Sequence, residues 1–320
     1  MKIAVLDDWQ HVAEQCADWA PLRSKADVVF FYDAFASEDE AAERLRSFDI
    51  VMAMRERTAF PASLVRRLSN LRLFAMTGSR GRSIDMAAMR AQGITITGTS
   101  NGGTGTATAE LALALMLASA RNIAPADANM RRGGFQSGIG QGYEVKGKVL
   151  GLIGLGHLGG LMARYGAALE MTVIAWSQNL TAERAAAKGA TYVSKEELLS
   201  RSDVVSLHLV LSDRTVGVLG AAELVLLKSG ALLINTSRGP LVDEAALIKA
   251  LETGRIFAAL DVYDREPLSA DHPFRRLPNT VLTPHLGYCT AATLRDLYRE
   301  SLENVLAFLD GAPIRILKPA

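Results

Sequence analysis

Short apolar, β-branched runs alternate with helix-patterned stretches along almost the whole chain. In the first hundred residues the runs fall at 2–6, 27–32, 50–54, 71–76 and 94–97, with helical patterns at 38–47, 62–68 and 85–92. Strand and helix at this spacing predict a parallel, doubly wound α/β sheet. A helical stretch at 106–121 follows without a strand of its own, and a loop rich in Gly and Arg covers 131–142. The alternation resumes with runs at 149–153, 172–176, 204–209, 231–235, 258–262 and 280–283. These are six strands with the regularity of a dinucleotide-binding fold. The tail reads as a helix at 291–309 and a short strand at 313–317.

With 320 residues, 49% of them hydrophobic, the chain is long enough for two cored domains. Its formal net charge is +1 and no cationic run stands out, which argues against a nucleic-acid partner. The longest uncharged stretches, 111–120 and 149–163, are too short or too broken by glycine to span a bilayer. Two acids follow the short apolar run at the N-terminus, unlike a secretory leader. Cys16 and Cys289 make no disulfide framework and fit a reducing compartment. The expectation is a cytoplasmic protein with a small-molecule partner and no nucleic acid, membrane or metal.

One glycine cluster adds chemistry. Gly154, Gly156 and Gly159 form G-x-G-x-x-G at the end of an apolar strand, and a helical run at 158–169 begins within it. In such a loop the first glycine makes the tight turn and the second lets backbone approach a pyrophosphate. The third lets the helix pack on the strand, with the helix N-terminus toward the phosphates. His157 and Leu158 lie inside the motif and join the candidate cofactor-binding group. The position that reads the adenosine ribose, about 20 residues on, is Ser177, followed by Gln178 and Asn179. No carboxylate there repels a 2′-phosphate, and no Arg or Lys precedes Arg184 to attract one. NAD and NADP both remain open.

Three further segments follow successive strands: 235–239 with Thr236 and Arg238, 261–267 with Asp261 and Glu266, and 284–287 with His285. Ligands of open α/β sheets sit beyond the carboxyl ends of the strands, so all three should face the crevice of the glycine loop. Singly, each residue has an ordinary role in a loop; their joint position points to chemistry. Reducing a 2-oxo acid needs a hydride donor, a proton for the carbonyl oxygen and a cation for the carboxylate. Arg238 offers a planar, permanently charged fork. His285 can deliver the proton, because imidazole titrates near working pH. Glu266 beside it would orient the ring and balance its charge.

The stretches 107–111, 147–156, 202–208, 234–244, 259–263, 266–267 and 283–287 resemble the D-isomer-specific 2-hydroxyacid dehydrogenases. That group contains phosphoglycerate dehydrogenase, glyoxylate/hydroxypyruvate reductase and D-lactate dehydrogenase. The resemblance is strong in the cofactor half and weak in the N-terminal half. It implies Arg238, Glu266 and His285 as substrate-binding Arg, paired Glu and acid/base His. It implies that Asp261 holds the nicotinamide amide and that His208 lies near the cofactor, although a ring packed at a strand end also accounts for His208. Thr236 and His285 complete the cofactor-binding expectations.

The same resemblance implies two doubly wound parallel-sheet domains. A Rossmann cofactor domain at 99–287 is inserted in a flavodoxin-like substrate domain made of 1–98 and 288–320. Closure of the cleft between them would exclude water before hydride transfer. Family members are usually dimers, so a homodimer is expected. With only a short tail after the last helix, no appended regulatory domain is expected either.

The substrate loop departs from the family's usual pattern. Its counterpart, 77–85, carries Arg80 and Arg82. Gly78, Ser79 and Arg80, with Arg238 and His285, are the substrate-binding candidates; Arg80 could meet a second anionic group, although arginines are mostly exposed and solvent-facing positions for Arg80 and Arg82 are the favoured alternative. Val210 replaces a frequent proline, with little consequence expected. Small 2-oxo acids such as glyoxylate or hydroxypyruvate are the expected substrates, with a phosphoglycerate dehydrogenase-type activity as the alternative. A formate dehydrogenase is disfavoured by the intact Glu–His pair. A reading of another class, a dinucleotide-binding corepressor-like scaffold, would call for a peptide cleft and disordered tails.

Overall fold

The computed structural model describes residues 1–79, 81–100 and 102–318. The chain divides into two compact units, Met1–Gly105 with Cys289–Ala320, and Thr106–Tyr288. The first carries five strands: β1 (Lys2–Val5), β2 (Asp27–Phe30), β3 (Ile50–Ala53), β4 (Leu73–Met76) and β5 (Thr95–Thr97). Their order is β2-β1-β3-β4-β5, all parallel, which is the flavodoxin-like arrangement. The order reverses between β1 and β3. The long helix Ala291–Leu309 belongs to this unit, its entry fixed by Thr290, whose hydroxyl accepts the Thr293 amide at 3.2 Å.

The second unit holds β6 (Val149–Ile153), β7 (Thr172–Trp176), β8 (Thr191–Tyr192), β9 (Val204–Leu207), β10 (Leu232–Asn235), β11 (Phe257–Leu260) and β12 (Thr280–Leu282). The order is β12-β11-β10-β9-β6-β7-β8, parallel throughout. Counted from β6 this is the Rossmann order, with a seventh strand beyond the sixth. The reversal lies between β6 and β9.

Side-chain alternation sorts the core of this unit into two layers. Leu150, Leu152, Val173, Ala175, Leu232 and Ile234 face one layer with Ala112, Leu115 and Met162. Ile153, Ile174, Val205, Leu207, Leu233 and Leu260 face the other with Leu198, Leu224 and Leu247. Strands buried on both faces read as unbroken apolar runs, which is why they stand out in the sequence.

Two expectations need correction. The sheet has seven strands among the described residues, because Thr191 and Tyr192 form an exposed two-residue edge too short to show a pattern. Residues 313–317 make no strand. Ile316 forms a single antiparallel bridge to Thr97, and Arg315 takes a left-handed φ of +50° that interrupts extended backbone. No helix among the described residues is long and apolar enough to cross a membrane.

Candidate active site

The glycine-rich loop leaves β6 beside the end of β9, at the reversal of the sheet. Gly154 sits at φ +98°, and a Cβ there would stand 2.5 Å from the His208 carbonyl oxygen. A Cβ on Gly159 would stand 2.1 Å from the Gly154 carbonyl oxygen, so only glycine lets the helix His157–Ala168 press on the loop. Around Gly156, the N-cap of that helix, a Cβ would meet only open space. His157 is exposed and Leu158 half-buried in the first helical turn.

Two inaccessible polar atoms lie at the neighbouring strand ends without a hydrogen-bond partner: His208 Nδ1 after β9 and Thr236 Oγ1 after β10. The His208 Nε2 lies 2.9 Å from Ser206 Oγ, and burial pushes the imidazole down to about 4, so the ring is neutral at working pH. A helix amide end, a close-approach glycine turn and two unmet polar atoms fit a nicotinamide dinucleotide.

Arg238 is carried by a turn that Asn235 organises. The Asn235 Nδ2 donates to the Arg238 carbonyl at 2.8 Å, and its Oδ1 accepts the Ser237 amide at 3.0 Å. Ser237 Oγ donates to the Leu207 carbonyl at 2.7 Å, which ties the turn to β9. The next residue, Gly239, is irreplaceable by size: a Cβ would fall 2.2 Å from the Tyr263 carbonyl carbon and 2.5 Å from the Asp264 amide nitrogen. The Arg238 turn therefore packs backbone to backbone on the segment that leads to Glu266.

Glu266 and His285 form a close pair. Glu266 Oε2 lies 2.6 Å from His285 Nδ1, and both side chains are only 13% exposed. The other Glu266 oxygen accepts the Tyr263 amide at 3.0 Å, which fixes the carboxylate's direction. His285 adopts φ +55°, unusual for a residue with a side chain, and its turn is fastened from β11. Asp261 accepts the Leu286 and Gly287 amides at 2.7 and 2.9 Å, and the Thr283 hydroxyl at 2.6 Å. Burial raises the Asp261 carboxyl above its ordinary range, and these three donors oppose the rise. The Tyr263 hydroxyl lies 3.1 Å from the Leu260 carbonyl oxygen and 3.0 Å from that of Thr283, joining β11 to the same turn.

Arg238, Glu266 and His285 thus stand at three neighbouring strand ends. Sequence reasoning did not pick out Tyr263, although it lies in a quoted motif. Nor did it pick out Lys188, whose Nζ donates to the Leu155 and Gly156 carbonyls at 2.8 and 2.7 Å. That contact spans 32 residues and leaves no sequence signal.

In the first unit, the loop after β4 is held tightly. The Gly78 amide donates to Thr99 Oγ1 at 2.8 Å and its carbonyl accepts the Thr99 amide at 3.0 Å. Gly78 has φ +71°, and a Cβ would lie 2.2 Å from Arg55 Nη1, so the guanidinium after β3 rests on the glycine itself. Ser79 is exposed, and Arg80 lies outside the described residues. At the reversal of this sheet, Asp7 accepts from the Thr58 hydroxyl at 2.8 Å, and burial pushes its carboxyl up to about 6. The rule that ligands gather at strand ends could have flagged Arg55.

The model of the D-isomer specific 2-hydroxyacid dehydrogenase NAD binding domain matches residues 113–287. The chain is 39% identical to the glyoxylate reductase of Aeropyrum pernix, over 78% of this chain and 76% of that one. The chain belongs to the D-isomer-specific 2-hydroxyacid dehydrogenase family. It is also 34% identical to the D-3-phosphoglycerate dehydrogenase of Archaeoglobus fulgidus over 87% of its own length, spanning about half (53%) of that longer relative. Among solved structures, the phosphoglycerate oxidoreductase of Vibrio cholerae matches with a TM-score of 0.90 at 34% identity, over 98% of this chain and all of that one. The seven-stranded sheet coincides with the family's NAD-binding domain.

Proposed function

We propose that the protein reduces a small 2-oxo acid to the D-2-hydroxy acid, using a nicotinamide nucleotide as hydride donor. The observation that carries this reading is the 2.6 Å contact between Glu266 Oε2 and His285 Nδ1, little exposed, at the same carboxyl-terminal edge of the sheet that the glycine loop leaves. Gly154, Gly156 and Gly159 would admit the pyrophosphate against the helix amide end, with His157 and Leu158 in the first turn. Ser177, His208, Thr236, Asp261 and His285 would complete the nucleotide site. When bound, the nicotinamide ring supplies the hydride to the carbonyl carbon.

The remaining work belongs to the chain. Arg238 receives the carboxylate and polarises the carbonyl oxygen with its planar fork. Because Nδ1 of His285 faces a carboxylate, Nε2 becomes the nitrogen that gives up the proton. The C=O bond becomes CH–OH: the carbon gains the hydride, the oxygen gains the proton and the imidazole is left neutral. Glu266 keeps the protonated ring oriented and its charge balanced. Gly78, Ser79 and Arg80 would also contribute to substrate binding.

Glyoxylate and hydroxypyruvate are the preferred substrates of this reading; phosphoglycerate-type chemistry is the alternative. The test is a screen of glyoxylate, hydroxypyruvate, pyruvate and bulkier 2-oxo acids with each reduced nucleotide, followed by chiral analysis of the product. D-glycerate from hydroxypyruvate is the expected result. An L product, or no nucleotide oxidation with any of these acids, contradicts it.

We also propose a homodimer working in the cytoplasm. Supporting the dimer, Leu117, Ile123, Met130 and Phe135 are exposed along the helices Ala107–Ala120 and Ile123–Arg131 and the loop after them. Supporting the compartment, neither Cys16 nor Cys289 is in a disulfide. Light scattering of the purified chain tests the first: a monomer mass would overturn it.

A further inference from the structure

We infer that the adenosine end of the nucleotide site is built for a ribose 2′-phosphate, with Arg214 as the specificity-determining residue, so that NADP(H) is favoured over NAD(H). The inference rests on the dinucleotide reading of the glycine loop and goes beyond it. A cavity of about 340 Å³ opens at the carboxyl ends of β7 and β9, lined by Trp176, Gln178, Lys195, Leu209, Arg214 and Val218 among others. It borders Ser177, the position where a reader of the unphosphorylated ribose would carry an acid. From Ser177 to Ala182 there is no carboxylate.

The two cations of the lining differ in what they are already doing. Lys195 is committed: its Nζ lies 2.7 Å from Glu223 Oε1 and 5.8 Å from the Trp176 ring centre. Glu223 in turn is held by the Gly220 amide at 3.0 Å, so its charge is spent within that corner. Arg214 is exposed and makes no hydrogen bond or ion pair among the described residues. The adjacent Asp213 is engaged in an interaction of its own. Lys188 adds a second positive charge against the glycine loop through the Leu155 and Gly156 carbonyls.

A cavity with an uncommitted guanidinium and no carboxylate at the ribose position selects a dianionic phosphate over a hydroxyl. Arg is the side chain whose fork meets phosphate oxygens two at a time. The signal was hidden because the cation comes from the loop after β9, more than thirty residues beyond Ser177, where a local scan does not look.

Calorimetric titration of the full chain with 2′-phospho-ADP-ribose and with ADP-ribose tests this without turnover. The phosphorylated fragment is expected to bind at least about 10-fold more tightly. Arg214→Ala should remove most of that gap, chiefly by weakening the phosphorylated fragment, and Arg214→Lys should restore part of it. Thermal melts of both variants establish that they are folded. Equal affinity for the two fragments, tighter binding of ADP-ribose, or equal weakening of both by Arg214→Ala would overturn the inference while leaving the dinucleotide reading intact. Binding of neither fragment would overturn both.

Discussion

Asp261 Oδ1 accepts the amide of Leu286 at 2.7 Å, so a carboxylate at the end of β11 fastens the turn that presents His285. Its second oxygen takes the Gly287 amide and its first also takes the Thr283 hydroxyl. With His285 at φ +55°, the backbone pays about 1 kcal/mol or more for its conformation, and these bonds hold it there. Asp261 is thus a positioning residue for the imidazole proposed as proton donor, whatever else it does for a bound nucleotide.

Asp261→Asn tests that role. The substituted amide turns an N–H toward one of the two backbone amides, leaving a buried donor unmet at about 1–3 kcal/mol. A lower melting temperature is expected, together with a fall in kcat of about 100-fold from a misplaced imidazole. Nucleotide affinity, measured by titration, should change much less than kcat. Loss confined to nucleotide affinity would assign Asp261 to the nicotinamide amide alone.

Glu266→Gln keeps a hydrogen-bond acceptor beside His285 but removes the negative charge. The ring that gives up the proton loses its neighbouring carboxylate charge, so kcat for reduction should fall about 10-fold or more, with nucleotide affinity close to that of the parent. An unchanged kcat would mean that the carboxylate's charge does not assist the proton transfer.

Gly239 and Gly156 should separate stability from binding. A Cβ on Gly239 collides with Tyr263 and Asp264 backbone, which cannot swing aside, whereas one on Gly156 meets nothing in the protein. Gly239→Ala is expected to lose about 3 kcal/mol in urea unfolding, at the upper end of overpacking costs. Gly156→Ala should lose less stability but bind nucleotide far more weakly. The reverse ranking would contradict the assignment of the two turns.

His208 has a pH signature of its own. Its folded-state value of about 4 lies below the unfolded 6.5, so the unfolded chain binds the extra proton first on acidification. The stability it contributes is therefore complete above 6.5 and declines as pH falls from 6.5 to 4, by up to about 3 kcal/mol. Asp7 and Asp264, both pushed up to about 6 with burial as the leading cause, act in the opposite direction over that range. Comparing urea stability of the parent and His208→Gln at several pH values isolates the histidine. The variant should lose less stability on acidification, and parallel curves would refute it.

The two-sheet architecture and the strand-end residues were legible because buried parallel strands are written as apolar runs and the glycine loop has a fixed spacing. Thr191–Tyr192 was not, since two exposed edge residues carry no period. Arg238, Glu266 and His285 could be grouped from the strand-end rule alone. What fastens them could not: Gly239 against Tyr263, Tyr263 against Thr283 and Lys188 against Gly156 are contacts between segments distant in sequence. Sequence marks the chemistry, and tertiary packing decides which neighbours hold it in place.

The most direct test of the account is turnover of hydroxypyruvate by His285→Ala, measured alongside nucleotide affinity for the same variant. The expected result is a kcat reduced about 10²–10⁴-fold with nucleotide binding close to that of the parent. Near-normal turnover, or a loss of turnover matched by an equal loss of nucleotide binding, would contradict it.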